Sequence, residues 1–282
     1  MVEDMVEIQF DPCSLKWQAG QWLFLRARWV SKLEWHPFPI TSCPFDPYIS
    51  VHVPQVPGFN RSLGNGLGAG HAQARLYDSI INPRDQYEIA LQNGQEMPIL
   101  HINGPYNVLP MKIFEDEIAI LIADGIGLTA LASILKHLWH LRNMGLRPVG
   151  FGMRHVEIFW ICEDIESFGW FERLFSALET QNDGTKRIPE VQTHIHLTQN
   201  FDANAIINIT LNSPSTGADP LTGLKTPTKF GRPNFRSAFT TVRDGTLDGT
   251  YLKSAERKHE VTIGVYFCGS SAAGTSGMLG TF

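Results

Sequence analysis

Apolar positions change their period part-way along the chain. Over the first hundred or so residues they fall in short runs, Val6 to Phe10, Trp22 to Trp29, Tyr48 to Val53 and Tyr87 to Leu91, with Pro and Gly between them. Short alternating runs punctuated by turn residues predict an antiparallel β-barrel. A further strand-like run ends in HPFPITS, His36 to Ser42. The stretch Gly58 to Tyr77, with GNGLGAG followed by the start of HAQARLYDSI, reads as a mobile loop and a short helix.

From Glu117 the pattern is different. EIAILIAD is a buried strand, GIGLT a turn, and Ala130 to Arg142 places Leu131, Ile134, Leu135, Leu138 and Leu141 at helical spacing, with Gly145 as a stop. Val156 to Cys162 is a second buried strand, and Phe168, Phe171, Leu174, Phe175 and Leu178 mark one amphipathic helix. Thr193 to Leu197 and Val261 to Cys268 supply later strands, while Thr180 to Pro189 and Asn212 to Lys229 read as polar surface insertions. Alternating strands and helices imply a parallel sheet. The expected architecture is two domains: an antiparallel β-barrel over residues 1–110, its first strand incomplete, and an α/β parallel-sheet domain over 112–282 with a short C-terminus.

Length and composition agree with this division. A chain of 282 residues exceeds the usual single core. An apolar share of 43%, a charged share of 18% and a net charge of -5 are ordinary for a soluble protein and argue against nucleic acid as a partner. Cys13, Cys43, Cys162 and Cys268 lie far apart without CxxC spacing, which argues against a zinc cluster and a disulfide framework and fits a reducing compartment. Met1 to Glu7 is acidic and lacks the apolar core of a signal peptide. Ile118 to Leu135 carries Asp124 and two glycines at its middle, so strand, turn and helix explain it better than a bilayer span. His194 with His196, and His137 with His140, share a strand face and a helix turn, but neither pair has a third ligand nearby, and no metal site is expected. The aromatic set Phe159, Trp160, Phe168, Trp170 and Phe171 reads as core.

The turn Asp124-Gly125-Ile126-Gly127-Leu128-Thr129 stands between a strand and a helix, where outward N–H groups and the helix N-terminus accommodate a pyrophosphate. Its full GxGxxG spacing is absent, and Asp124 places a negative charge where a phosphate would approach. A tight strand-to-helix turn also needs Gly for steric reasons alone, so a structural reading stays open beside the nucleotide one.

GQWLFLRARWVSKLEWHPFPITSCP, INGPYNVLP, ILIADGIGLTALASILKHLWHLR, FWICEDIESFGWFERL, GLKTPTKFGRPNF and VYFCG occur in that order along the chain. With these stretches it resembles the dehydrogenase region of the NADPH oxidases, particularly the fungal ones, within the ferric reductase and ferredoxin reductase type of flavoprotein. The resemblance implies FAD in the barrel and NADPH, or NADH, in the α/β domain. It implies as partners a nicotinamide nucleotide and a haem-bearing membrane domain or oxidase regulatory subunits, with superoxide as the product of the intact enzyme. It places the chain on the cytosolic face of a membrane within an intact oxidase, and in the soluble cytoplasm on its own.

The resemblance also assigns roles. His36 would donate to the FAD pyrophosphate and Phe38 would pack on the isoalloxazine, with Pro37, Ile40, Ser42, His52 and Val53 completing the platform. Gly125, Ile126, Gly127 and Thr129 would approach the NADPH pyrophosphate, Arg232 would pair with a nucleotide phosphate, and Cys268 and Gly269 would lie beside the nicotinamide, Cys268 being the one candidate catalytic position. Cofactors carry hydride chemistry, so no catalytic triad is expected.

Departures from the family pattern fall on ligand-facing positions. Pro39 stands where HPFT has a hydroxyl, His52-Val53-Pro54 where the family has HIR, and Glu163 where relatives place Arg or Lys toward a 2′-phosphate. Two other readings therefore remain open: a catalytically inert relative with a binding or regulatory role, and a soluble flavin reductase using NADH.

Overall fold

The computed structural model describes residues 5–10, 12, 15–66, 100–107, 111–180, 188–199, 218–251 and 260–269. The chain divides into two compact units, Met1–Val108 and Leu109–Phe282.

The first unit is antiparallel. β1 (Met5–Phe10) pairs with β4 (Ile49–Pro54), and β2 (Gln21–Ala27) lies between β3 (His36–Pro39) and β5 (Leu100–Asn107). A bridge between Ile40 and Val51 ties the two sheets. Alternation puts Leu23, Leu25, Ala27, Phe38, Ile40, Ile49, Val51 and Val53 into one core with Val6, Ile8 and Leu63. Pro37 and Pro39 are tolerated because β3 is an edge strand of its sheet, where a missing N–H breaks no ladder on the outer side.

One expectation for this unit changes. The helix after β4 begins earlier than expected: α1 is Phe59–Gly66, running through the segment read as loop. Burial of Leu63 and the close seat of Gly64 explain it, since a Cβ on Gly64 would meet the Gln55 Oε1 at 2.1 Å. The run Tyr87 to Leu91 and the second half of the loop lie outside the described residues.

The second unit is a five-stranded parallel sheet in the order β10-β6-β7-β8-β9, with β6 (Ile118–Asp124), β7 (His155–Cys162), β8 (Glu190–Leu197), β9 (Lys229–Phe230) and β10 (Ile263–Cys268). Every residue of β6 and β7 is buried, as expected of strands covered on both faces. α2 (Leu128–Met144) covers one face and ends on Gly145, whose φ of 64° supplies the left-handed cap. α5 (Phe235–Leu247) contributes Val242 to a cluster with Ile118, Ile120, Ile122 and Phe159.

The single amphipathic helix expected after β7 is two pieces, α3 (Ile165–Phe168) and α4 (Glu172–Thr180). Asp164 caps α3 by accepting from the Ser167 N–H at 2.8 Å, and the break lets Phe168, Phe171 and Phe175 gather round Trp160 at centroid distances of 5.5, 6.1 and 5.2 Å. The described part of the second expected insertion, residues 218–229, is held by specific hydrogen bonds. Asp219 accepts from the N–H and hydroxyl groups of Thr222 and Thr228, Glu179 accepts from the N–H groups of Lys225 and Thr226, and Leu224 is buried. Among the described residues no helix is long and apolar enough to cross a membrane.

Candidate functional site at the strand ends

The chain runs from β6 outward through β7 and β8 to β9, then returns to place β10 on the other side of β6. Strand order therefore reverses at β6, and in open α/β sheets a ligand crevice forms at the carboxyl ends of the strands where this happens. Asp124 ends β6 there, and Cys268 ends β10 next to Ala123.

The turn after β6 is a short 3-10 segment, Gly125–Gly127, leading into α2. Gly125 has a φ of 53°, and a Cβ there would meet open space. Gly127 is different: its Cβ would stand 2.0 Å from the Cys268 carbonyl oxygen. Gly269 is pressed on the other side, where a Cβ would lie 2.6 Å from the Asp124 Cβ. Gly127 and Gly269 thus serve the mutual approach of β6 and β10, and Gly125 is the glycine that leaves room for a ligand. The Trp160 Nε1–H donates to the Gly125 carbonyl at 3.1 Å, and the Thr129 hydroxyl donates to the Ile126 carbonyl at 2.9 Å. Ile126 itself is half-buried. No side chain caps the first turn of α2, although the Leu128 N–H is taken by the Gly125 and Ile126 carbonyls, so the anion-binding character of this helix start belongs to the 3-10 turn at Gly125–Gly127 and α2 together.

Arg232 reaches this edge because Gly231 is clamped to the end of β8. Its N–H donates to the Leu197 carbonyl at 2.8 Å, and its carbonyl accepts from the His196 Nδ1–H at 3.0 Å. The Arg232 Nη1 stands 3.7 Å from the Asp124 Oδ2. Glu163, one residue beyond β7, is exposed. Burial pushes the Cys268 thiol up, so it stays protonated and adds no charge beside the turn.

In the first unit, the His36 ring stacks on Phe59 with centroids 3.7 Å apart, and its Nε2 lies 3.4 Å from the Glu34 carboxylate. Pro37 is exposed. Phe38 is 6% exposed and lies in the core opposite Leu23, and Ile40 and Val53 are fully buried. The Ser42 hydroxyl accepts from the Ser50 N–H at 2.9 Å, while Thr41 binds His52 Nδ1 at 2.8 Å. Among these side chains the pyrophosphate of a flavin is matched by the His36 imidazole, and its ring by no exposed aromatic of β3. The nucleotide crevice of the second unit fits its group better, with an uncapped helix start, an open Gly125 and a guanidinium.

Sequence reasoning passed over several contributors. Trp160, read as core, also anchors the turn, and a buried indole N–H that needs an acceptor is the signal that points to it. Trp22 and Phe24, two apart on β2, face the same side and meet Tyr106 at 4.9 and 5.8 Å, forming an aromatic surface beside Pro37 and Pro39.

Residues 117–274 match the ferric reductase NAD binding domain, and residues 1–109 an FAD-binding domain. The chain belongs to the ferric reductase NAD-binding family. Its FAD-binding domain and ferric reductase NAD binding domain make it an FAD- and NAD(P)-binding oxidoreductase module by family, with the architecture that the change of hydrophobic period predicts. It is similar to a superoxide-generating NADPH oxidase heavy chain of Dictyostelium discoideum, at 31% identity over 94% of this chain and 46% of that protein. It is also similar to NADPH oxidase 3 of Homo sapiens, at 29% identity over 95% of this chain and 41% of that protein. The chain thus spans less than half the length of these relatives. Among solved structures, a ferredoxin NADP+ reductase from Neisseria gonorrhoeae with bound FAD and NADP aligns over 93% of this chain and 92% of that one, at 13% identity and a TM-score of 0.43. The family assignment rests on the sequence matches.

Proposed function

We propose that the chain is the dehydrogenase region of a superoxide-generating NADPH oxidase, oxidising NADPH through bound FAD and handing electrons to a haem-bearing membrane portion. The observation that carries this reading is the meeting of the β6 turn with Cys268 and Gly269 at the strand-order reversal, in a chain whose first unit matches an FAD-binding domain.

Residues 112–282 bind the nucleotide. The start of α2, Gly125 and Arg232 receive its phosphates, with Ile126, Gly127 and Thr129 holding the turn in shape, and Cys268 and Gly269 border the nicotinamide. Residues 1–110 hold the flavin, with His36, Pro37 and His52 at its edge and Phe38, Ile40, Ser42 and Val53 keeping the strands beneath it rigid. Bound FAD would supply hydride acceptance and one-electron donation there. The protein's task is distance and orientation, and the neutral Cys268 thiol adds no charge of its own beside the nicotinamide. In this reading the chain works on the cytosolic face of a membrane, with regulatory subunits as further partners.

The inward placement of Phe38 and Ser42 favours a second reading, a non-catalytic relative whose core persists without flavin. An anaerobic absorbance titration with FAD, then NADPH or NADH, separates the two. Saturable binding followed by bleaching faster than that of free FAD supports the dehydrogenase, and faster bleaching by NADH than NADPH moves the nucleotide preference. No flavin binding by a folded sample at high micromolar FAD overturns the enzyme reading.

A further inference from the structure

Asp124 lies where the crevice meets the sheet, and its position is constrained on both sides. Its backbone belongs to β6, paired with β7 at Ile161, and Gly269 presses against its Cβ. The residue is 9% exposed, so little beyond its carboxylate reaches the crevice. Facing it is Arg232, 56% exposed, whose base is fixed by the two hydrogen bonds that hold Gly231 to the end of β8.

At 3.7 Å the contact is attraction between charges without the close hydrogen bonding of a bidentate pair. The pair lacks that bonding and its arginine is 56% exposed, so it yields the arginine to a phosphate oxygen, which carries more charge and accepts the guanidinium fork directly, and this leaves the buried Asp124 carboxylate without its cation. Arg232 leaves a carboxylate to take a phosphate, and the incoming phosphate then lies near the uncovered Asp124. Both effects oppose binding. Glu163 is exposed and Asp164 half-buried just beyond β7, so the edge that receives Arg232 is acidic.

We propose that Asp124 is an intramolecular competitor for the nucleotide phosphates: it holds Arg232 in the nucleotide-free chain and sets how tightly a phosphate-bearing ligand binds. This rests on the reading of the β6–β10 crevice as the nicotinamide nucleotide site and names the residue that tunes it. The carboxylate is the chain's own stand-in for a phosphate, and removing its charge frees the arginine.

The test is calorimetric titration of the full chain with NADP+, comparing wild type, Asp124→Asn, Arg232→Ala and the double variant, each checked for folding by circular dichroism. Asn is close to Asp in shape, so it leaves the contact with Gly269 intact. Releasing Arg232 from this half-exposed pair and removing one repulsive charge is expected to tighten NADP+ binding about three- to tenfold in Asp124→Asn. In the Arg232→Ala background the same change should give about twofold or less, and the salt dependence of binding should steepen in Asp124→Asn. Binding by wild type without a gain in Asp124→Asn overturns the proposal and leaves the nucleotide site standing. An equal gain with and without Arg232 also overturns it, because Asp124 would then act by plain repulsion. Folded variants that all fail to bind NADP+ overturn the nucleotide site itself and this proposal with it.

Discussion

The indole Nε1–H of Trp160 donates to the carbonyl of Gly125 at 3.1 Å, joining the centre of the second unit's core to the turn that faces the nucleotide crevice. Trp160 is fully buried and ringed by Phe168, Phe171 and Phe175. Replacing it with Phe keeps most of the packing and leaves the Gly125 carbonyl without this donor. Trp160→Phe is expected to lower stability by about 1–3 kcal/mol and to weaken NADP+ binding, measured by urea unfolding and calorimetry on one preparation. A variant with wild-type stability and affinity would show that the bond does not hold the turn.

Two glycines of that turn should respond to different degrees to a methyl group. Gly127→Ala drives a Cβ into the Cys268 carbonyl at 2.0 Å, a backbone atom that moves only if β10 moves. It should destabilise by about 2–3 kcal/mol or more. Gly125→Ala meets open space and carries only the strain of a φ of 53°, about 1–2 kcal/mol. Urea midpoints of the two variants rank them, and the reverse order would mean that β10 does not close on the turn.

Acid should weaken the fold through several groups, chief among them Glu157 and His137, with His196 and Asp219 shifted the same way. Glu157 accepts from His155 at 2.8 Å and His194 at 2.5 Å. Burial alone would raise its carboxyl, but the two histidine hydrogen bonds outweigh it and hold the group at about 2, against 4.5 when free. A depressed carboxylate contributes stability above its unfolded pKa, so that part is lost as pH falls from about 4.5 toward 2. Burial, with His140 nearby, lowers His137 to about 4 from 6.5, so the unfolded chain takes up a proton that the folded one refuses, and stability falls between those values. Thermal melts from pH 7 to pH 3 should show both limbs. His137→Asn should shrink the upper limb, leaving the His196 part, and Glu157→Gln should shrink the lower one, leaving the Asp219 part, while costing about 3 kcal/mol at neutral pH.

Cys268 should behave as a slow thiol. Burial raises its pKa, so the thiolate fraction at pH 7.5 is small, and Cys43 and Cys162 are buried. Iodoacetamide labelling of Cys268, followed by peptide mass spectrometry, should be slow at pH 7.5 and rise through pH 9 and above. Saturating NADP+ should slow it further, and unchanged labelling would place the nucleotide away from the end of β10.

Much of this was legible in the chain. The shift from short alternating runs to strand and helix periods separates an antiparallel unit from a parallel one. EIAILIAD followed by GIGLT and a helical stripe marks β6, its turn and α2 almost residue by residue. Less of the site was legible. His36, Pro37 and Phe38 are neighbours in sequence, yet the pleat sends Phe38 into the core and leaves Pro37 outside. Thr129 looks like a phosphate ligand, but its hydroxyl is committed to the Ile126 carbonyl.

By itself the sequence determined the two architectures, the order of their elements and the chemistry of the turn, because hydrophobic period and glycine placement act over a few residues. Only the tertiary structure decided that Gly127 serves Cys268, that Arg232 faces Asp124 and that Glu157 lies between two histidines. Those pairings join segments far apart in the chain. They depend on strand order and on which face of each sheet is covered, and a local pattern of apolar and polar residues carries neither.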